Sequence, residues 1–206
     1  MKNLKNPSKV HQIWLGSALP ERERKWISTV KQWCDNCNIQ HKLWNINDLH
    51  EQHPNEPIWE FSNTLPDNVR KWVLLCDYFR FIVINPGDMY LDTDFLCNYA
   101  PSIGVNNGKL MSIGEYWDGN KAASGMTCVG ENFTKLNELK DAVREQAKTL
   151  TIDSLNDMCA ALGPLFYRDT CDKLGIKISI IDRRQASHIQ WKNRAALVHQ
   201  GAGSWV

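Results

Sequence analysis

The sequence feature that most constrains the fold is a helical pattern that leads directly into a short strand. Residues 65–85 (LPDNVRKWVLLCDYFRFIVIN) predict a long helix that ends near Asn85-Pro86-Gly87. The apolar residues that share one face of this helix are Trp72, Leu75, Phe79 and Ile82. Residues 88–95 (DMYLDTDF) then predict a strand that carries Asp92 and Asp94 at its carboxyl end. A helix followed by a strand is a unit of an α/β fold, so we expect helices packed on a central sheet.

The rest of the chain alternates in the same way. The other predicted strands are residues 9–16, 39–45, 109–116 and 176–182, and the other predicted helices are residues 19–37, 131–150 and 155–175. Residues 118–130 (DGNKAASGMTCVG) are expected to form a loop, and the tail 196–206 (ALVHQGAGSWV) is expected to be irregular. This order predicts an α/β fold with a mainly parallel central sheet flanked by helices, in one domain over residues 1–206.

The charge balance bears on partners. Lysines and arginines number 24 and acids 23, which gives a formal net charge of +1. This balance disfavours nucleic acid and anionic membranes as partners and excludes neither. Four basic residues could still form a local patch, although a solvated charged surface is the simpler interpretation. These residues are Arg183, Arg184, Lys192 and Arg194.

Cysteine usage and apolar run lengths bear on the compartment. The seven cysteines are an odd number without a second CxxC pair, so we interpret them as reduced thiols. The N-terminal sequence lacks the apolar core of a signal peptide, and no apolar run reaches the length of a membrane span. We therefore expect a soluble, cytoplasmic protein without a transmembrane segment.

The acid pair is the strongest chemical feature. On an extended strand, Asp92 and Asp94 would point to the same side because they are two positions apart. Like charges held together need a neutralising partner, and two carboxylates form a platform for a hard divalent cation. Such a cation keeps open positions that substrate phosphates can fill. The alternative interpretation is a pair of ordinary solvated acids, because Asp-x-Asp arises often by chance.

Three sequence blocks in order resemble a known family. They are residues 11–16 (HQIWLG), residues 76–94 with Asp77, Arg80 and the segment YLDTD, and residues 199–205 (HQGAGSW). Together they resemble the DxD-motif glycosyltransferases of the sugar-binding-region family. That family includes the yeast initiating mannosyltransferases and, more distantly, the clostridial glucosylating toxins. The resemblance implies a GT-A type nucleotide-sugar-binding fold with Mn²⁺ or Mg²⁺ as cofactor.

The resemblance also implies donor-binding roles. Trp14 would stack on the nucleobase, although an ordinary core tryptophan is an equal alternative. Asp77 and Arg80 would hydrogen-bond hydroxyls of the donor sugar, with an internal salt bridge as the alternative. Tyr90 would line the donor pocket.

The remaining implied roles concern the metal and the diphosphate. Asp92 and Asp94 would be the catalytic pair, Asp92 contacting ribose and sugar directly or through metal, and Asp94 ligating the metal. His199 would be a further ligand or a diphosphate contact, although a lone histidine is more often structural. Ser204 and Trp205 would close over the diphosphate, with the indole N–H donating to a phosphate oxygen.

Three positions depart from the family pattern. Cys76 stands where the family has Ala or Ser, Asp88 replaces the second glycine of a turn, and Gly125 lies near a usual asparagine. The chain also lacks long insertions that bind acceptors in related enzymes.

The resemblance therefore implies a metal-dependent enzyme that moves a sugar from a UDP- or GDP-sugar to a hydroxyl acceptor with retention of anomeric configuration. The expected acceptor is a saccharide or a lipid-linked hydroxyl, bound by loops between Tyr116 and Asn132. An alternative acceptor is a macromolecule such as protein or modified DNA. Two rival functions are a nucleotide-sugar hydrolase or phosphotransferase and a non-catalytic nucleotide-sugar-binding module.

Overall fold

Two sheets and seven helices form the described part of the chain. A computed structural model describes residues 5–16, 18–99, 107–114, 121–182, 186–188 and 197–200. The strands are β1 Lys9–Ile13, β2 Gln40–Trp44, β3 Met89–Leu91, β4 Phe95–Cys97, β5 Leu110–Gly114, β6 Ala122–Val129, β7 Ile178–Ile180, β8 Ala186–His188 and β9 Leu197–His199. The helices are α1 Glu21–Asn36, α2 Ile46–Gln52, α3 Ile58–Asn63, α4 Val69–Ile82, α5 Leu136–Lys148, α6 Met158–Ala161 and α7 Pro164–Lys173, with a 3₁₀ turn at Ile152–Asn156.

The larger sheet has six strands in the order β2-β1-β3-β6-β5-β7. The pairs β1–β2, β1–β3 and β5–β7 are parallel, whereas β6 runs antiparallel to both of its neighbours. A smaller sheet has the order β4-β9-β8. The expected α/β fold with helices on a central sheet is confirmed, and the sheet is mixed.

Both faces of the larger sheet are covered, as the side chains of β3 show. Met89 and Leu91 belong to one hydrophobic cluster, together with residues of α1, β4 and β9. Tyr90, which points to the opposite face, belongs to a second cluster with residues of α4, α5 and α7. A sheet buried on both faces leaves the ends of its strands as the accessible places for a ligand.

The predicted helix before β3 forms as α4. Leu75, Phe79 and Ile82 are buried on its core-facing side, as their spacing predicts. The Asn68 side chain caps the helix by accepting hydrogen bonds from the backbone N–H groups of Arg70 and Lys71. None of the described helices is long and apolar enough to cross a membrane.

Two segments expected to be irregular contain strands instead. Ala122–Val129 forms β6, which pairs with both β3 and β5, and Leu197–His199 forms β9 in the smaller sheet. The small residues of β6 have weak strand propensity in isolation, so they were wrongly predicted as a loop. Strand pairing on both edges and burial override that propensity.

The acid pair also differs from its predicted placement. β3 ends at Leu91, and Asp92, Thr93 and Asp94 form a turn that leads into β4. The backbone N–H of Phe95 donates to the carbonyl of Asp92 across this turn, at 3.3 Å. The prediction of a continuous strand was wrong, because the chain leaves one sheet and enters the other at this point.

Asp88, one of the departures from the family pattern, has a structural role. Its carboxylate accepts from the backbone N–H of Asn85 at 3.0 Å and lies 3.1 Å from His11 Nε2. The indole N–H of Trp44 donates to His11 Nδ1 at 3.0 Å, so Nδ1 is the acceptor and Nε2 carries the proton. Asp88 therefore joins the turn before β3 to strands β1 and β2.

Two histidines, the buried His11 and the partly buried His41, make the stability of the protein depend on pH. Burial lowers the pKa of His41 from 6.5 to about 4, and burial also lowers the pKa of His11 despite Asp88. Because these folded-state pKa values lie below 6.5, the unfolded chain binds more protons in this window. The contribution of each of these histidines to the free energy of unfolding should fall from pH 6.5 towards pH 4, by at most about 1.4 kcal/mol per pH unit. Asp77, whose pKa is raised to about 6, acts in the opposite direction below pH 6.

Urea unfolding between pH 7.5 and pH 4.5 checks this expectation. The His41→Gln variant keeps a donor for Gln12 and removes one titrating group, so its stability should fall less steeply with acid. Equal slopes for the variant and the parent would contradict the assignment of His41.

Candidate functional site

Three potential metal ligands meet at the carboxyl end of β3. In the smaller sheet, Phe95 pairs with His199, and the backbone N–H of Gln200 donates to the Asp94 carbonyl at 2.9 Å. This pairing brings His199 Nε2 to 3.1 Å from Asp94 Oδ1 and 3.9 Å from Asp92 Oδ2. The ligand atoms of the three residues lie within 4.8 Å of one another. We call these residues the Asp-Asp-His cluster.

The backbone of Asp92 is held on both sides. Its N–H donates to the Gly125 carbonyl of β6 at 2.8 Å, and its carbonyl accepts from Gln12 Nε2 at 3.1 Å. Gln12 is fully buried, and its Oε1 lies 3.0 Å from His41 Nε2. Sequence reasoning missed Gln12, although a glutamine inside the predicted strand β1 was a visible signal. These two backbone hydrogen bonds orient Asp92 and leave its carboxylate available for other contacts.

A buried arginine borders the Asp-Asp-His cluster. Arg80 is 7% exposed, and its guanidinium lies 2.5 Å from Asp77 and 3.6 Å from Asp92. It also donates to Ser124 Oγ of β6 at 2.6 Å. Arg80 Nε is buried and makes no hydrogen bond within the described ranges. Either an ordered water or a bound ligand can supply the acceptor for such a donor.

Tyr90 connects the arginine to the acids. The Arg80 guanidinium lies 5.4 Å from the centre of the Tyr90 ring, and the Tyr90 hydroxyl donates to Asp92 Oδ1 at 2.8 Å. With Oδ1 engaged in this way, Oδ2 is the oxygen of Asp92 that is nearer to His199. The structure thus brings Asp77, Arg80 and Tyr90 together with the Asp-Asp-His cluster.

Burial makes the charged forms of these acids costly. It raises the pKa of Asp77 to about 6, although the Arg80 guanidinium pulls it down. Burial likewise raises the pKa of Asp92, with Arg80 opposing and Asp94 adding to the shift. Burial alone would lower the pKa of His199, but the hydrogen bond and charge of Asp94, together with Asp92, outweigh it and raise the pKa. The acids lack sufficient compensating positive charge.

The Asp-Asp-His cluster has the chemistry of a divalent-cation site. Carboxylate oxygens suit Mg²⁺ and Mn²⁺, and an imidazole favours a transition ion such as Mn²⁺ over Mg²⁺. Three protein ligands leave coordination positions for other groups. A cation would also offset the cost of burying Asp92 and Asp94 so close together. These residues therefore fit a divalent metal.

Gly125 faces this cluster, and its lack of a side chain is a steric requirement. A Cβ at this position would lie 2.7 Å from Asp92 Oδ2 and 3.6 Å from His199 Nε2. A larger side chain such as asparagine at this position would displace the Asp92 carboxylate. The departure at Gly125 is thus matched to the position of Asp92.

Gly125→Ala is expected to weaken Mn²⁺ binding at the Asp-Asp-His cluster by about 10–100-fold, because the added methyl group pushes the Asp92 carboxylate away. Electron paramagnetic resonance of free Mn²⁺ measures this affinity directly. Ala123→Ser, which adds one atom on the same strand, should bind Mn²⁺ as the parent does. Unchanged affinity in Gly125→Ala would show that Asp92 Oδ2 is not a ligand.

Of the remaining predicted residues, Trp14 and Cys76 are described by the structure and Ser204 and Trp205 are not. Trp14 follows β1, is partly buried, and its backbone N–H donates to the Trp44 carbonyl at 3.0 Å. Cys76 is buried in α4, one position before Asp77. Ser204 and Trp205 lie outside the described residues, as do the four basic residues of the predicted patch. The expected acceptor loops between 116 and 132 are described only from 121 onward.

Comparison with known proteins shows which solved structures share this fold. No family model matches the chain, and no curated protein matches it. The structure is similar to the PaToxG glycosyltransferase, with a TM-score of 0.56 and 15% identity over 82% of this chain and 70% of that one. It is also similar to a glycosyltransferase involved in the glycosylation of the major capsid of PBCV-1, with a TM-score of 0.54 and 14% identity over 92% of both chains. The chain therefore has a fold found in glycosyltransferases.

Proposed function

We propose that this protein is a metal-dependent glycosyltransferase of GT-A type that takes its sugar from a nucleotide-sugar donor. The observation that carries the proposal is the position of the Asp-Asp-His cluster, at the carboxyl end of β3 and beside the buried Asp77–Arg80 pair. In open α/β sheets this end of the strands is where ligands bind. The similarity of the fold to two glycosyltransferases supports the same assignment.

In this proposal, the Asp-Asp-His cluster binds the diphosphate part of the donor through a metal ion, and the Asp77–Arg80 pair binds the sugar part. Asp92, Asp94 and His199 hold a divalent ion, which when bound neutralises charge on the departing nucleotide diphosphate. Asp77 and Arg80 bind hydroxyls of the donor sugar, with the orphaned Arg80 Nε as one donor. Trp14 stacks on the base. These proposed roles are the ones that the resemblance to the sugar-binding-region family implies for the DxD motif.

The proposed reaction proceeds with retention of configuration. Among the described residues proposed to bind the donor, the carboxylates of Asp77 and Asp92 are both engaged, with Arg80 and Tyr90 respectively. A same-face attack needs no enzymatic nucleophile, since the leaving diphosphate can accept the proton of the acceptor hydroxyl. The protein then contributes positioning and electrostatic stabilisation of the leaving group.

A donor screen by thermal shift tests the proposal. UDP- and GDP-sugars are each added with and without Mn²⁺, and ligand binding to the native state raises the melting temperature by mass action. One donor should stabilise the protein in a metal-dependent way, and NMR of the transfer product should show the donor's anomeric configuration. No shift with any donor would overturn the proposal, and a product with inverted configuration would overturn the retaining mechanism.

A further inference from the structure

The topology places the start of α4 at the same end of the sheet as the Asp-Asp-His cluster. The short connection 83–88 joins the end of α4 to the start of β3, so α4 runs antiparallel to β3. Its first turn therefore lies near the carboxyl end of β3, where Asp92 begins the turn. Contact with the chain after β1 supports this placement, since a Cβ on Gly16 would meet the Trp72 indole at 2.8 Å. The start of α4 thus borders the ligand-binding end of the sheet.

A cavity of about 180 Å³ lies between the start of α4 and the 3₁₀ turn. We call it the α4 cavity. Its apolar lining includes the buried residues Leu65 and Leu155 and the exposed Ile152, which is 68% accessible to solvent. A cavity of about 150 Å³ in another protein accommodates benzene, so this space is sufficient for one six-membered ring.

The polar residues around the α4 cavity combine hydrogen-bond donors and acceptors. They are Asn68, Arg70, Lys71, Asp153 and Asn156. The Lys71 ammonium lies 4.0 Å from the Asp67 carboxylate, and Arg70 shares the rim with Asp153, so positive and negative charges nearly balance. A strongly charged ligand gains little net attraction from such a rim. Amide groups next to an apolar floor suit a neutral ligand that offers hydroxyl groups and C–H faces.

The α4 cavity and the proposed sugar-binding pair lie along one face of the same helix. Arg70 and Asp77 are seven positions apart, which places them on the same side of α4 two turns from each other. The separation along the axis is roughly 10 Å, at 1.5 Å per residue. A short oligosaccharide can span this distance.

We propose that the α4 cavity binds a sugar residue of a neutral oligosaccharide acceptor, at a distance from the hydroxyl that receives the transferred sugar. This inference rests on the proposed glycosyltransferase function and moves part of the acceptor site away from the loops between positions 116 and 132. Apolar contacts with Ile152 and Leu155 hold the ring face, and Asn156 and Asp153 hydrogen-bond its hydroxyls.

Two measurements test the α4 cavity separately from the chemistry. Amide NMR spectra of the parent are titrated with neutral di-, tri- and tetrasaccharides and with acidic oligosaccharides of the same lengths. The signals of Asn68, Asp153 and Asn156 should move with a neutral oligosaccharide. Absence of any shift at these residues across the panel, or shifts with acidic sugars alone, overturns the proposal even if donor binding succeeds.

The second measurement uses Asn156→Trp, which fills the mouth of the α4 cavity. In this variant, the KM for the oligosaccharide acceptor that binds the parent should rise by about tenfold or more. The KM for the donor and the rate of donor hydrolysis without acceptor should stay unchanged. Asn47→Trp adds the same side chain at an exposed position on α2 and should keep the parent acceptor KM. An unchanged acceptor KM in Asn156→Trp overturns the inference, whereas loss of metal-dependent donor binding in the parent would instead refute the proposed function.

Discussion

Replacing Asp94 with asparagine is expected to lower kcat/KM for sugar transfer on the order of a thousandfold, because the cluster loses the carboxylate nearest to His199. The variant should also bind Mn²⁺ weakly and lose the metal-dependent part of donor stabilisation. Its fold should persist, since asparagine keeps the shape of the side chain and removes the buried member of two closely spaced charges. Initial rates of transfer and calorimetric titration with Mn²⁺ measure both effects.

A matched variant separates this effect from a general loss of negative charge. Asp169→Asn makes the same substitution at an exposed position on α7 and should retain full activity. If Asp94→Asn transferred sugar at close to the parent rate, Asp94 would not be a metal ligand.

Replacing Arg80 with methionine is expected to lower the free energy of unfolding by about 3–5 kcal/mol at pH 7. The guanidinium lies 2.5 Å from the buried Asp77 and 3.6 Å from Asp92, so its removal leaves the Asp77 carboxylate without the cation that compensates it. Donor binding should be lost as well, because the hydroxyl contacts proposed for Arg80 disappear. Urea denaturation gives the stability, and thermal shift with the donor gives the binding.

The double variant Asp77→Asn, Arg80→Met shows whether uncompensated charge is the cause. Removing the acid together with the base should recover a substantial part of the lost stability, since Asp77 then no longer carries an unpaired buried charge. Donor binding should remain absent in both variants. Equal instability of the single and the double variant would indicate that Arg80 stabilises by packing instead of by charge.

Local pattern was sufficient to predict the elements that deliver the acids. The helical spacing of α4 and the strand before Asp92 are encoded within a few residues, so both were correctly predicted. β6 was not predicted, because its residues become a strand only through pairing with β3 on one side and β5 on the other. The turn at Asp92 was also missed, since leaving one sheet for another is decided by partners distant in sequence.

The site shows the same division between local and long-range information. The DxD pattern and the resemblance predicted roles for Asp77, Arg80, Tyr90 and the three residues of the Asp-Asp-His cluster, and the structure brings these residues close together. Gln12, Ser124 and the requirement for Gly125 were not predicted. Each acts through a contact between strands or between a strand and a helix, and a single sequence contains no record of those pairings.

The pairing of β9 with β4 has a consequence for synthesis of the protein. About a hundred positions separate Asp94 from His199, so a ribosome completes the acids long before the histidine emerges. Since chains fold from the N-terminus as they are made, the larger sheet can form while its proposed metal site still lacks the third ligand. A nascent or prematurely terminated chain would thus present the two acids without the histidine, and tight metal binding would mark only those molecules in which β9 has been made and has docked.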